Sequence, residues 1–301
     1  MHNEFDIIVI GVGMAGLNIA RRCAASNKRV AVVDELPYGG TCALRGCDPK
    51  KVLVGAAEVV DWHRRMAGNG ITGDTRIDWQ DLMAFKRTFT EPVPDNIEDS
   101  LTKMGVETYH ERAQFVDKNK LQVGQNILSA QHIVVATGAK PRPLDIPGEE
   151  LIATSTDFLE LKTLPERIIF IGGGYISFEF AHIAARAGAE TTILHRGERP
   201  LEDFDPDLVS ELMTASSAVE IDVKVNMEVI AIRQSEKGYI VHTDTNEQFE
   251  CDLVIHGAGR VPAIDDLDLD KAGIEHTHHG IVVNEYLQSV SNPIVYAAGD
   301  T

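Results

Sequence analysis

The segment Gly11-Val12-Gly13-Met14-Ala15-Gly16 decides the fold of this chain. It follows an apolar run over residues 5–10 and opens a stretch with helical periodicity to about residue 25; a second apolar run then ends in Asp34. A strand, a glycine turn and a helix in this order are typical of a dinucleotide-binding unit. The three glycines let the backbone approach a pyrophosphate at the helix N-terminus, and an acidic residue about 20 positions later accepts a ribose hydroxyl.

The same pattern recurs in the second half of the chain. Residues 167–171 are apolar and lead into Gly172-Gly173-Gly174-Tyr175-Ile176-Ser177, then a helical run to about residue 187 and an apolar run over 191–194. Ser177 replaces the usual third glycine or alanine, but it is small enough for the same packing of helix on strand. The repeat predicts an α/β protein with two nested dinucleotide-binding domains.

A proline-rich joint over residues 141–148 predicts a domain boundary. We expect a first nucleotide-binding domain over 1–147, a second over 148–262, and a return to the first over 263–301. Helices over 79–103 broken at Pro92 and Pro94, short antiparallel strands over 106–128 and a strand over 132–136 complete the first domain. A last apolar run over 294–298 brings Asp300 to a strand tip, where it could bind ligand hydroxyls or form an Asx turn.

Two cysteines lie just beyond the first unit, in Gly39-Gly40-Thr41-Cys42-Ala43-Leu44-Arg45-Gly46-Cys47-Asp48-Pro49-Lys50-Lys51. Residues five apart on an α-helix are roughly 8 to 9 Å apart, whereas a disulfide needs Cα atoms within about 7 Å. Cys42 and Cys47 can therefore pair only if the backbone leaves helical geometry, which Gly46 permits. Pro49 predicts a helix start there, running to about residue 66, whose dipole favours a thiolate.

This cysteine pair beside a nucleotide-binding unit indicates disulfide chemistry driven by a flavin. The alternative is half of a metal site, but no C-x-x-C completes a zinc site, so we expect no metal.

The composition narrows the class of protein. The chain has 301 residues, 44% of them hydrophobic, four cysteines and a net charge of −18. This charge makes a nucleic acid or an anionic membrane surface an unfavourable partner. The first apolar run is too short for a signal peptide, and no run approaches the roughly 20 apolar residues of a membrane span. We therefore expect a cytoplasmic protein, in which a cysteine pair is catalytic more often than structural.

With these motifs in order, residues 5–301 resemble the pyridine nucleotide-disulfide oxidoreductases, in the branch of glutathione reductase, dihydrolipoamide dehydrogenase and mercuric reductase. The cysteine pair in the first unit separates this branch from thioredoxin reductase-like relatives, which carry C-x-x-C in the second. The resemblance implies an FAD site formed by Gly11, Gly13, Gly16, Asp34, Thr41, Ala113, Thr137, Gly138 and Asp300. It implies a nicotinamide cofactor site formed by Gly172, Gly174, Tyr175, Ile176 and Gly259.

The resemblance also implies the catalytic roles. Cys47 is similar to the thiol that lies against the flavin, and Cys42 to the interchange thiol that meets the substrate. Lys50 and Glu179 resemble the ion pair beside the flavin, although either could be a solvated surface charge. Tyr175 resembles the ring that covers the flavin until nicotinamide displaces it. Hydride would pass from nicotinamide to flavin, and electrons from there through the disulfide to the substrate.

Three departures from the family pattern stand out. Asp48 replaces an apolar residue next to Cys47 and could raise its thiol pKa or lower the potential of the pair. The family continues with a dimerisation domain that supplies an acid–base histidine, so we expect this chain to be a piece of a longer, homodimeric protein; a short flavoprotein is the alternative. Arg21 matches an arginine that contacts glutathione, or is an exposed helix arginine, and the expected tyrosine is replaced near Ile97.

The tip of the second unit's last strand carries His195-Arg196, with Arg199 nearby. An acidic residue there would select NAD, whereas cations favour a 2′-phosphate. Glu202 replaces a second arginine common in NADP enzymes. We therefore expect Arg196 to bind NADPH, with NADH the less favoured cofactor.

The leading hypothesis is an FAD-dependent, NAD(P)H-dependent reductase of a low-molecular-weight disulfide, glutathione disulfide first. Dihydrolipoamide dehydrogenase and mercuric reductase are the alternatives among enzymes. A non-catalytic flavin-binding redox module is the alternative from another class.

Overall fold

The computed structural model describes residues 3–301. Its α-helices are α1 (Met14–Ala25), α2 (Cys47–Met66), α3 (Trp79–Thr90), α4 (Val93–Lys103), α5 (Ser155–Phe158), α6 (Tyr175–Arg186) and α7 (Pro206–Ser217). A π-helical turn spans Thr41–Arg45, and 3-10 turns span Glu149–Leu151, Asp265–Leu267 and Leu269–Ala272.

The strands follow the expected alternation with helices. They are β1 (Glu4–Ile10), β2 (Val30–Val33), β3 (Glu107–Tyr109), β4 (Ala113–Asp117), β5 (Lys120–Val123), β6 (Asn126–Val135), β7 (Ala139–Pro141), β8 (Arg167–Ile171), β9 (Glu190–Leu194), β10 (Ile221–Lys224), β11 (Val229–Ser235), β12 (Gly238–Thr243), β13 (Gln248–Cys251), β14 (Leu253–His256), β15 (Arg260–Pro262), β16 (His276–Thr277), β17 (Gly280–Ile281) and β18 (Val295–Ala297).

Packing divides the chain into two compact units. The first contains the residues up to Asp48 together with Phe89–Lys140 and Arg260–Thr301. The second contains Pro49–Thr88 and Pro141–Gly259. The domain division at 147/148 and 262/263 stays a prediction.

The first unit is built on a seven-stranded sheet in the order β3-β2-β1-β6-β5-β4, with β18 also paired to β6. Strands β1, β2, β3, β6 and β18 run parallel. Ile10 lies opposite Val33 and Val135, and Ala297 also lies opposite Val135. These strands therefore end at one edge of the sheet, which is where open α/β sheets bind their ligands.

In the region where the sequence predicted short antiparallel strands, only part of the pairing is antiparallel. Strands β4 and β5 pair antiparallel with each other, and β5 pairs antiparallel with the first half of β6. β3 instead pairs parallel with β2. That expectation was wrong for β3, because three residues of alternating pattern do not reveal which neighbour they join.

The core of the first unit explains the continuous apolar runs in its strands. Ile8 and Val9 are both fully buried although they point to opposite faces of β1. Val9 packs with Leu17 of α1 and Leu101 of α4, whereas Ile8 belongs to the cluster on the other face. A strand covered on both faces loses its polar alternation.

The second unit contains the second dinucleotide-binding fold. Strands β10-β9-β8-β14 form a parallel sheet. His256 and Leu194 both lie opposite Ile171, so these strands also end together. Strands β11, β12 and β13 form a separate antiparallel sheet. The α/β fold with two such units is confirmed.

The helices before β3 differ from the prediction in one detail. Helix α3 ends at Thr90, and Pro92 is the residue that precedes α4. Pro94 does not break a helix, because it lies in the first turn of α4. The backbone N–H groups of a first turn have no acceptor within the helix, so a proline there, which has no N–H, removes no hydrogen bond. Within residues 3–301, no helix is both long and apolar enough to cross a membrane.

Candidate active site

The glycine turn after β1 is shaped by close backbone contacts. Gly11 has φ +96°, and a Cβ there would lie 2.3 Å from Ala136 O; a Cβ on Gly16 would lie 1.9 Å from Gly11 O. Both positions therefore exclude any side chain. A Cβ on Gly13 would meet nothing closer than 3.6 Å, so this glycine is not required by packing. It directly precedes α1, at the helix N-terminus where a pyrophosphate would bind.

The cysteine segment lies directly on this glycine turn. Gly39 N donates to Val12 O at 3.0 Å. Gly40 has φ +64°, and a Cβ there would lie 2.5 Å from Gly13 Cα. Thr41, the next residue, is exposed. Sequence reasoning missed this contact, although the paired glycines immediately before Thr41 were its signal.

Asp34 is held at the end of β2 by the backbone. Its Oδ2 accepts from Val12 N at 2.7 Å, and its Oδ1 accepts from Leu36 N at 2.9 Å. Burial raises the pKa of Asp34 above its ordinary value, and the two backbone donors and the nearby Arg45 counteract part of that effect. Each carboxylate oxygen keeps a further lone pair, which suits the hydroxyls of a ribose.

The remaining residues predicted for this site follow neighbouring strand ends. Thr137 and Gly138 come after β6, and Thr137 Oγ1 lies 2.9 Å from Thr301 Oγ1. Asp300 is exposed beyond β18, and a Cβ on its neighbour Gly299 would lie 3.5 Å from Ala15 Cβ at the start of α1. The structure thus brings the ends of β6 and β18 and the start of α1 together.

Ala113 is buried at the start of β4. The adjacent Arg112 donates through Nε to Glu35 Oε2 at 3.0 Å. Since Glu35 follows Asp34, this bond fixes the segment with Ala113 beside the end of β2.

The two cysteines occupy a backbone that leaves α-helical geometry, as predicted. The π-helical turn carries half-buried Cys42, Gly46 breaks it with φ −157° and ψ −105°, and α2 begins at exposed Cys47. A Cβ on Gly46 would lie 3.0 Å from Thr41 O. Cys47 is the first residue of α2, at the positive end of the helix dipole.

The other cysteines have a different environment. Burial raises the pKa of the Cys23 thiol, and it raises that of Cys251 to about 12. Because the thiolate is the nucleophile, both are unsuited to disulfide exchange.

Lys50 and Glu179 form an ion pair within the second unit. Lys50 Nζ lies 2.6 Å from Glu179 Oε1, and the lysine side chain is only 19% exposed. Helix α2 supplies the lysine and α6 the glutamate. The contact holds a positive charge in the first turn of α2.

The second glycine turn repeats the first in its packing. Gly172 has φ +96°, and a Cβ there would lie 2.5 Å from Ala258 Cα. Gly174 precedes α6, whose first residue Tyr175 is 55% exposed, and Ile176 is half-buried. Gly259, with φ +107°, follows the loop after β14.

Ser177 is accommodated by a partner that sequence reasoning missed. Its side chain is fully buried, and Oγ has no hydrogen-bond partner within residues 3–301. A Cβ on Gly257 would lie 1.9 Å from that oxygen. The larger residue on α6 is therefore matched by a glycine after β14.

His195 occupies in the second unit the place that Asp34 occupies in the first. Its Nδ1 lies 3.1 Å from Gly173 N, and its Nε2 lies 2.9 Å from Arg199 O. The backbone N–H must donate to Nδ1, so Nε2 carries the proton and donates to the carbonyl. The strand tip thus carries an imidazole in the place of a carboxylate, and Glu202 Oε1 lies 3.8 Å from Nε2.

The cations near this tip have unequal roles. Arg199 donates to Phe204 O at 2.9 Å and to Glu202 O at 2.7 Å, so it closes its own loop. Arg196 is exposed and makes no ion pair with any residue of the range 3–301.

Residues 5–301 match the family model described as pyridine nucleotide-disulphide oxidoreductase. The chain belongs to this family. The predicted resemblance is confirmed.

The chain is similar to relatives whose names state different substrates. Glutathione reductase from Burkholderia cepacia is 34% identical over 299 residues, covering 99% of this chain and 66% of the relative. Dihydrolipoyl dehydrogenase from Mycoplasma genitalium is 31% identical, again covering 99% and 66%. The solved Cu(II) complex of the HOCl-induced flavoprotein disulfide reductase RclA from Escherichia coli has a TM-score of 0.89 and 28% identity, covering 99% and 66%. The chain spans about two thirds of the length of these relatives.

Membership of the pyridine nucleotide-disulphide oxidoreductases supports an oxidoreductase with FAD and a pyridine nucleotide as cofactors. The relatives do not agree on a substrate. Residues 3–301 contain no group of three or more histidine, cysteine, aspartate or glutamate side chains that could hold a metal ion.

Of the two side chains expected to contact glutathione, an arginine and a tyrosine, only the arginine is present, as Arg21. Arg21 Nη2 donates to Ser100 Oγ at 3.3 Å, so the arginine of α1 is tied to α4. Ile97 is buried in the core on the same helix and offers no polar group.

Proposed function

We propose that this chain reduces a low-molecular-weight disulfide, glutathione disulfide first, with NADPH as the reductant and with FAD and the Cys42–Cys47 pair as carriers. The contact of Gly40 with Gly13 carries the proposal, since it fixes the cysteine segment on the turn expected to bind FAD.

The first unit fits an FAD molecule. Gly13 precedes the N-terminus of α1, and Asp34 offers acceptors for a ribose. Thr41, Ala113, Thr137, Gly138 and Asp300 are the further residues proposed to hold it. When bound, FAD supplies a two-electron carrier between a nicotinamide and a disulfide.

The cysteines complete the transfer in two exchanges. Two electrons and one proton convert the Cys42–Cys47 disulfide to one thiol and one thiolate; a second proton is taken up as the two substrate thiols leave. The Cys42 thiolate then attacks one sulfur of the substrate, which forms a mixed disulfide and releases the first substrate thiol. Cys47 attacks the Cys42 sulfur, restores the protein disulfide and releases the second thiol. Lys50, held by Glu179, lies in the first turn of α2, three residues after Cys47.

The second unit is proposed to bind NADPH through Gly172, Gly174, Tyr175, Ile176 and Gly259. His195 presents no carboxylate to a 2′-hydroxyl, and Arg196, which makes no ion pair within residues 3–301, suits a 2′-phosphate. Tyr175 has the exposure that a ring displaced by nicotinamide requires.

Cysteine variants test the proposal. Cys42→Ser is expected to lower disulfide turnover at least about a hundredfold, since no thiol remains to attack the substrate. NADPH oxidation coupled to flavin reduction should persist, and Cys23→Ser should match the wild type. Stopped-flow absorbance with NADPH and then glutathione disulfide measures both steps. Wild-type turnover by Cys42→Ser would overturn the mechanism.

Substrate screening separates the alternatives. A preference for NADH and dihydrolipoamide would establish the dehydrogenase named by one relative, and Hg²⁺-dependent NADPH oxidation the mercuric reductase named by another. Absence of any turnover, with flavin bound, would favour the redox module. A homodimeric whole protein and a cytoplasmic location remain part of the proposal.

A further inference from the structure

Asp48 places a second negative charge beside the proposed redox thiol. Cys47 and Asp48 are the first two residues of α2, and both are exposed. Consecutive Cα atoms are 3.8 Å apart. A Cys47 thiolate and the Asp48 carboxylate would therefore share one helix N-terminus and its unbonded N–H groups.

The charged side chains near Asp48 form no ion pair with it within residues 3–301. Asp48 makes no ion pair or side-chain hydrogen bond with any other residue of the range 3–301. Lys50 is engaged by Glu179 at 2.6 Å, and Lys51 is exposed. Arg45, on the turn that precedes α2, has Asp34 and Arg260 as its charged neighbours.

We propose that Asp48 opposes thiolate formation at Cys47 and so makes the Cys42–Cys47 dithiol more strongly reducing. This inference rests on the proposed redox role of Cys47. The balance is that the disulfide takes up two electrons and one proton, giving one thiol and one thiolate. In the disulfide form Cys47 is uncharged, so the Asp48 carboxylate is the one anion of the two residues that interacts with the positive helix N-terminus. In the reduced pair two anions compete there, which raises the free energy of the reduced form.

Alkylation of each cysteine measures the effect without nicotinamide or substrate. Trypsin cleaves after Arg45, so Cys42 and Cys47 fall in different peptides. Reduced protein is treated with iodoacetamide from pH 5 to 10, and the rate at each peptide is followed by mass spectrometry. For Asp48→Asn we expect the Cys47 rate at pH 7 to rise about threefold, with its profile moved to lower pH, and the gain to shrink in 1 M salt.

Two matched variants isolate the charge. Asp48→Glu keeps it and should behave as the wild type. Glu58→Gln removes an exposed carboxylate farther along α2 and should leave Cys47 unchanged. In a dithiothreitol redox buffer, the equilibrium constant for reducing the pair should also rise about threefold in Asp48→Asn.

The outcomes separate the two proposals. An unchanged Cys47 profile and redox equilibrium in Asp48→Asn, or an equal shift in Glu58→Gln, overturns the role of Asp48. A shifted profile in a protein that reduces no disulfide supports the role of Asp48 and rejects the proposed function.

Discussion

In both glycine turns a backbone N–H donates a hydrogen bond to the side chain that follows the neighbouring strand, but the accepting side chain differs. In the first unit Val12 N donates to an Asp34 carboxylate oxygen at 2.7 Å; in the second, Gly173 N donates to His195 Nδ1 at 3.1 Å. Both acceptors follow a parallel strand next to the turn. The bond that fixes the turn therefore tolerates a change of side chain, from a carboxylate in the first unit to an imidazole in the second. One architecture can thus hold two different side chains at the same position beside a glycine turn.

The largest effect is expected where the two turns are alike. Gly11→Ala and Gly172→Ala each place a Cβ within 2.5 Å of backbone at φ +96°. Each should cost at least about 3 kcal/mol of unfolding free energy or displace the turn, because backbone atoms cannot yield cheaply. Urea unfolding and the ratio of bound flavin to protein measure the cost.

Gly55→Ala is the matched control for the glycine variants. Gly55 lies within α2 with open space around its missing Cβ. Alanine there should stabilise the protein by about 0.5 to 1 kcal/mol. Equal destabilisation by all three substitutions would show that the turns have no special packing requirement.

His195→Asp makes the two turns chemically alike. A carboxylate can still accept from Gly173 N, but it also offers acceptors to a 2′-hydroxyl and repels a 2′-phosphate. We expect the ratio of kcat/KM for NADPH to that for NADH to fall about tenfold to a hundredfold. Steady-state kinetics with both cofactors provide the measurement.

Glu198→Gln, an exposed carboxylate on the same loop, controls for a general change of charge. An unaltered cofactor ratio in His195→Asp would mean that this strand tip does not select the nucleotide.

The smallest effect concerns the helices after the turns, α1 and α6. His182 of α6 stands at the sequence position that Arg21 has in α1. Its Nδ1 accepts from Arg186 at 2.6 Å, and its Nε2 lies 3.0 Å from Ser216 Oγ. Burial, with Arg186 nearby, lowers the pKa of His182 to about 4.

Because the pKa of His182 is lower in the folded protein than in the unfolded chain, the unfolded chain takes up a proton at a higher pH, and this protonation favours unfolding. The contribution of His182 is therefore complete above pH 6.5 and is lost between 6.5 and about 4. His182→Gln should remove about 2 kcal/mol of that pH dependence. Urea midpoints at pH 7.5 and 4.5 test this, with the exposed His278→Gln as control; a pH response equal to the wild type would refute it.

The sequence was most informative where one segment decides its own structure. The strand, glycine turn and helix pattern located β1 and α1, and again β8 and α6, because period, glycine position and helix start are all local properties. The start of α2 near Cys47 followed in the same way from Gly46 and Pro49.

Long-range contacts were the part that the sequence concealed. Gly40 is needed because of Gly13, and Gly257 because of Ser177, so neither requirement is visible in its own neighbourhood. The role of Arg199 depended on which carbonyls its loop presents. The pairing of β3 with β2 likewise depended on the order of strands in the sheet.

The pairing of β18 with β6 constrains how the chain acquires its structure during synthesis. Tyr296 lies opposite Val134, yet residues 141–259, which belong to the second unit, are made between them. Most of the second unit is therefore synthesised before β18 can pair with β6 and complete the sheet of the first unit. Until β18 is synthesised, the backbone N–H and C=O groups along that edge of β6 have no strand partner. In a nascent chain we expect this edge to be a binding site for chaperones and a starting point for aggregation.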